Sequence, residues 1–189
     1  ISEFADNPLG YEIKIEKMET AEGNSIEIPT KYAVHLEAVA NGLTPMADAF
    51  AFAKGLIEAW MAKKPDNPAP VIINISDGMP VTNQENRDDT QEAIDIAEEI
   101  KQMQTTDGHP VILNAHLSNT GVETMFEVNR DNLSDKHAQF LFDLSSIVPE
   151  SFKKNAKKHN LPFTPNCRGF VSNAKSETFI KFIEFGSTK

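Results

Sequence analysis

Cysteine is nearly absent from this chain: Cys167 is the only one among 189 residues. No internal disulfide can therefore form, and no cluster of thiolates can hold a metal. A single thiol with no base beside it in sequence is a poor nucleophile, so Cys167 reads as a small half-buried strand residue. Basic charge is also scarce. With 18 Lys and Arg against 28 Asp and Glu the formal net charge is −10, and no basic run exceeds a pair. An acidic surface repels a phosphate backbone, so nucleic acid is not an expected partner. The pairs Lys153-Lys154 and Lys157-Lys158 read as a solvated helix face. Long apolar runs are missing too: no stretch approaches the roughly 20 residues that span a bilayer. No basic, apolar and small-residue succession opens the chain as a signal peptide would. These absences predict a cytoplasmic chain without membrane contact. The nine glycines are scattered, with no G-x-G-x-x-G or G-K-[ST] phosphate loop and no nucleophile elbow.

What is present is an ordinary globular composition, 40% apolar and 24% charged, in a length that suits one domain spanning 1–189. Residues 11–18 alternate apolar and charged side chains, which predicts a peripheral strand with one buried face. A turn at 21–24 and a short extended piece at 26–29 follow; 33–40 also inclines to extended. From Pro45 to Lys64 a helix is predicted, with Thr44 as its cap. Met46, Phe50, Ala53, Ile57 and Trp60 make its inner stripe, widened by Phe52, Leu56 and Ala59. Val71, Ile72, Ile73 and Ile75 then predict a strand over 70–76 that is buried on both faces, as in a parallel sheet. A helix over 90–105, begun by a capping box at Asp89-Thr-Gln-Glu92, leads to a second buried strand at 109–118. Residues 119–132 read as loop, 134–146 and 149–159 as helices, 168–173 as a last strand and 175–185 as a last helix. Alternating helices and strands with short connections predict an α/β fold with a mostly parallel sheet and helices on both faces.

Two short motifs carry the chemistry. Gly42-Leu-Thr44-Pro-Met46 precedes the buried helix, and Ser76-Asp77-Gly78 ends the first buried strand. Both fall at the carboxyl edge of the sheet, where α/β proteins bind ligands. A hydroxyl and a carboxylate with water are hard oxygen donors of the kind Mg2+ takes. This arrangement resembles the von Willebrand factor type A family, bacterial cytoplasmic type. The likeness extends to Val71–Gly78, Leu113-Asn-Ala-His-Leu-Ser118 and Arg168-Gly-Phe-Val-Ser-Asn173. The resemblance implies a three-layer, doubly wound, Rossmann-like sheet. It also implies a metal-ion-dependent adhesion site in which Thr44 supplies a metal ligand and Asp77 acts through water. Gly42, Gly78 and Met79 would then border the surface that meets an acidic side chain of another protein.

The chain departs from the family in one large respect. The Asp-x-Ser-x-Ser that opens the family site is absent; Asp143-Leu-Ser-Ser146 has the wrong spacing and Ser2-Glu-Phe-Ala-Asp6 is no match. The chain lies on the C-terminal two-thirds of the family pattern, without the first strand and helix. Two expectations follow. Mg2+ should bind this chain alone weakly or not at all, and strand 70–76 should have an edge open to a strand-completing segment or chain. The expected function is thus protein binding rather than catalysis, through an adhesion site incomplete in this chain. The alternatives are a hydrolase- or phosphatase-like enzyme using Asp77 and His116, or a scaffold with a degenerate metal site. A closed pocket shared by Asp77 and His116 would favour the enzyme; an open surface with Asp77 and Thr44 would favour adhesion. The five histidines fit no zinc spacing. His116 reads as a hydrogen-bonded structural residue, His35 as part of a strand face, and His109, His137 and His159 as surface.

Overall fold

The computed structural model describes residues 6–19, 24–35, 37, 43–64, 66, 68–81, 88–118 and 121–187. The chain forms two compact units, Ile1–Gly42 and Leu43–Lys189, where the sequence reading laid one domain across 1–189.

In the first unit, β1 (Gly10–Glu19) and β2 (Ser25–Val34) pair antiparallel from Gly10↔Val34 to Glu19↔Ser25. The predicted strand is there, but its apolar face is not buried. Ile13 is 72% exposed and Ile15 66%. A two-stranded ribbon has no second layer of its own on which to bury a face. Pro29 sits within β2, where an unpaired outer edge tolerates its missing N–H. The turn expected at 21–24 lies, except for Asn24, outside the described residues, as do 36 and 38–40.

The second unit is α/β. Its elements are α1 (Met46–Lys63), β3 (Val71–Ser76), α2 (Asp89–Gln102), β4 (Val111–His116), β5 (Thr124–Met125), α3 (Lys136–Leu144), α4 (Lys153–Lys158), β6 (Phe170–Ser172) and α5 (Ser176–Ser187). The strands form one mixed sheet in the order β3-β4-β6-β5. β3, β4 and β6 run parallel, and β5 joins antiparallel to β6. β5 lies within the stretch read as loop, because two residues are too few to show a period. Alternate side chains of β4 enter two separate cores. Ile112 points to one with Phe50, Ala93, Ala97 and Leu141 from α1, α2 and α3. Val111, Leu113 and Ala115 point to the other, with Ala156 of α4 and Phe182 and Phe185 of α5. All six residues of β4 are buried.

β3 is different, and here the expectation of a strand buried on both faces is corrected. Its residues are only half-buried and Ile75 is 44% exposed, because β3 ends the sheet order and has β4 as its one neighbour among the named strands. The hydrogen bonds fix which groups face outward. Val111 N–H donates to Pro70 C=O and Leu117 N–H to Ser76 C=O. Bonding to one neighbour alternates along a parallel strand, so residues 70, 72, 74 and 76 exchange bonds with β4. Val71, Ile73 and Ile75 turn their amides and carbonyls to the outer edge.

Helix α1 also departs from expectation. Met46, Phe50 and Ile57 are buried, but Phe52 and Leu56 are 70% and 57% exposed and do not widen the inner stripe. Nor does Thr44 cap the helix with its hydroxyl; its carbonyl accepts from Met46 N–H. The cap comes from across the sequence, since Asp89 Oδ2 accepts from the N–H groups of Met46 (3.1 Å) and Ala47 (3.4 Å). Asp89 is freed for this because Asp88 caps α2, accepting from Gln91 N–H at 3.1 Å. The two first turns are thereby tied together. No described helix is long and apolar enough to cross a membrane.

Candidate functional site at the carboxyl edge of the sheet

The parallel strands β3, β4 and β6 deliver their last residues to one edge: Ser76-Asp77-Gly78, His116 and Ser172. The turn after β3 is built locally. Ser76 Oγ donates to Gly78 C=O at 3.2 Å and lies 3.3 Å from Gly78 N, the spacing of a short polar turn. Beyond it, Val81 N–H donates to Thr44 C=O at 2.9 Å. This bond ties the segment before α1 to the loop after β3, three residues beyond the Ser76-Asp77-Gly78 turn. Thr44 is half-buried and Asp77 exposed; Gly78 and Met79 are half-buried, and Met79 packs on the α1–α3 core. Gly42 lies outside the described residues. Asp77 lines an open depression with Leu117, Ser118, Asn173 and Ala174, in which neither Thr44 nor His116 takes part. A larger cavity than this depression lies around His109, Val111 and Arg168 at the opening end of β4, away from this chemistry.

Mg2+ demands six oxygens in near-octahedral array. Thr44 and Asp77 offer two side chains, the Ser76 hydroxyl is turned to Gly78, and Asp89 is turned to the first turn of α1.

A second constellation stands beside the first. His116 is 2% exposed. Its Nδ1 lies 2.9 Å from Ser172 Oγ and its Nε2 lies 3.6 Å from Asp135 Oδ2. Asp135 is the N-cap of α3, with Oδ1 accepting from His137 N–H at 3.0 Å. The His137 ring stands edge-on to that of His116, 6.4 Å between centroids. One ligand atom from each of His116, Asp135 and His137 falls within 4.8 Å of the others. The Gly78 turn is adjacent: a Cβ at Gly78 would lie 3.9 Å from His137 Nδ1. Burial holds the His116 imidazole below its ordinary titration range; the charge of Asp135 opposes this, His137 adds to it and Asp77 opposes it.

The sequence reading of His116 as a hydrogen-bonded structural histidine matches its partner Ser172. His137 is on the surface as expected, yet its neighbourhood was missed. The ligand spacing is not local: 116, 135 and 137 converge only because α3 begins beside the end of β4. The available signal was Asp135 as an N-cap two residues before a histidine, with both at the first turn of a helix after a strand-ending His.

Ser172, His116 and Asp135 superficially suggest a nucleophilic triad. Ser172 is 3% exposed, however, so its hydroxyl is not offered to a substrate, and a triad base needs its nucleophile at hand to attack. Among the described residues, the depression that Asp77 lines does not include His116 either. Cys167, expected as a half-buried strand residue, is instead fully buried ahead of β6, and burial pushes its thiol up, which disfavours the reactive thiolate.

Comparisons of the chain with protein-family models, with curated proteins and with solved structures found no match.

Proposed function

We propose that the second unit is a von Willebrand A-like, doubly wound, Rossmann-like domain that binds another protein at the carboxyl edge of its sheet. The observation that carries this reading is the exposed Asp77 at the carboxyl edge, in a loop that the Val81–Thr44 hydrogen bond ties to the segment before α1. Asp77 faces an open depression rather than a closed pocket, the arrangement an adhesion surface needs and an enclosed active site does not. Exposed Val81, Leu117 and Val122 in the surrounding loops supply apolar contact area of the kind found at the centre of protein interfaces.

In this reading the surface is completed by an added strand. A strand pairing in parallel with the outer edge of β3 would end at the same sheet edge as Asp77 and Thr44 and bring its side chains beside theirs. The Mg2+ of the family belongs to that completed site, and this chain alone takes the ion weakly or not at all. Calorimetry showing tight, saturable Mg2+ binding would contradict that part of the reading. The test of binding is a selection of linear peptides from a displayed library, followed by amide exchange. The expected binders slow exchange at Val71, Ile73 and Ile75, shift the resonances of Asp77–Met79 and bind the Asp77→Ala chain more weakly. Binders that leave both regions unaffected and bind Asp77→Ala equally overturn it.

A further inference from the structure

We propose that His116, Asp135 and His137 form a binding site for one late first-row divalent metal ion of the zinc class, distinct from the Thr44–Asp77 pair. Two imidazoles and one carboxylate are the donor set that Zn2+ and its neighbours prefer over Mg2+. The spacing fits. Ligand atoms on bonds of about 2.0–2.1 Å in tetrahedral array stand roughly 3.3–3.4 Å apart, and Nε2 of buried His116 stands 3.6 Å from Oδ2 of the more exposed Asp135. The third donor, on exposed His137, closes within 4.8 Å of the others and can adjust, because nothing buries its ring.

The surroundings hold the two fixed donors for this task. Ser172 Oγ lies against His116 Nδ1 at 2.9 Å. With that nitrogen protonated and donating to the hydroxyl, Nε2 carries the lone pair and faces the site, the tautomer control that metal-bound histidines use. Asp135 is similarly divided. Its Oδ1 is occupied by His137 N–H, which leaves Oδ2 turned to His116. Asp135 also lines a cavity with Gly121, Thr124, Ser172 and Asn173, so water can reach its side of the cluster.

The experiment is a Zn2+ titration of the untagged chain in competition with a chromophoric chelator, with Mg2+ in excess. The expected result is one Zn2+ per chain, displaced by neither Mg2+ nor His109→Ala. His137→Ala and Asp135→Asn each weaken affinity at least tenfold, and Ser172→Ala weakens it by about tenfold through the orienting bond. Because His116 is buried and its replacement endangers folding, it is followed in the wild type instead: its Nε2 resonance shifts on Zn2+ addition while its Nδ1 proton stays bonded. Absence of saturable one-to-one Zn2+ binding overturns the proposal. So does binding that His137→Ala and Asp135→Asn leave unchanged, or a His116 resonance that does not respond.

Discussion

The Asp135 carboxylate is divided between a helix and a histidine: one oxygen accepts the His137 amide at the start of α3, and the other lies 3.6 Å from Nε2 of His116 at the end of β4. The start of a helix thus stands beside the end of a strand, and the carboxyl edge of the sheet carries a polar cluster.

The cap and the cluster separate by substitution. Asp135→Ala removes the N-cap and should destabilise the metal-free chain by about 1 kcal/mol, whereas Asp135→Asn keeps an acceptor oxygen and should cost only a few tenths. Urea denaturation in chelator measures both. Equal losses for the two would show that charge toward His116, and not the cap, dominates.

Asp89 joins two helices, and its loss should be heavier. Its carboxylate is buried and accepts from both Met46 and Ala47 N–H groups. Asp89→Ala leaves those donors without it, and the expected cost is about 2 kcal/mol or more. Asp88→Ala, which removes an exposed cap, should cost about 1 kcal/mol. The order of the two in denaturant midpoints is the check.

Helix α1 offers a sharp pair. Phe50 is 3% exposed and Phe52 70%, two positions apart. Phe50→Ala should destabilise by about 3–5 kcal/mol, and Phe52→Ser by no more than about 0.5 kcal/mol. A large loss for Phe52→Ser would mean that this face is covered in the free chain.

Acid should weaken the metal-free chain through His116. Burial lowers the affinity of its imidazole for a proton in the folded state; Asp135 and Asp77 work against this and His137 works with it. The unfolded chain therefore protonates first as pH falls. The contribution is complete above the ordinary histidine value of about 6.5 and is lost as pH falls through the lower folded value. In chelator, denaturation midpoints should drop below about pH 6.5, and less steeply in His116→Asn. A rise in stability with acid would contradict this sign.

Much of this architecture was legible because it rests on local patterns. The periodicity of 46–63 and the β-branched run at 71–75 placed α1 and β3, and the strand-helix alternation gave a mostly parallel sheet. The edge position of β3 was anticipated through the family likeness; its half-burial was not, since Ile72 and Ile73 look alike at an edge or a centre. The trans cap from Asp89 escaped because 43 residues separate it from Met46, and Thr44 offered a nearer hydroxyl. The His116–Asp135–His137 cluster escaped for the same reason: convergence across a sheet edge leaves no fixed spacing in sequence.

The central claim is that β3 offers a free edge leading to Asp77, and amide exchange followed by NMR on the isolated chain tests it most directly. Ile72, Asn74 and Ser76, bonded to β4, should exchange slowly, and Val71, Ile73 and Ile75 faster by at least a hundredfold. Equal, strong protection of all six would show that this chain already fills the edge, and would contradict the account.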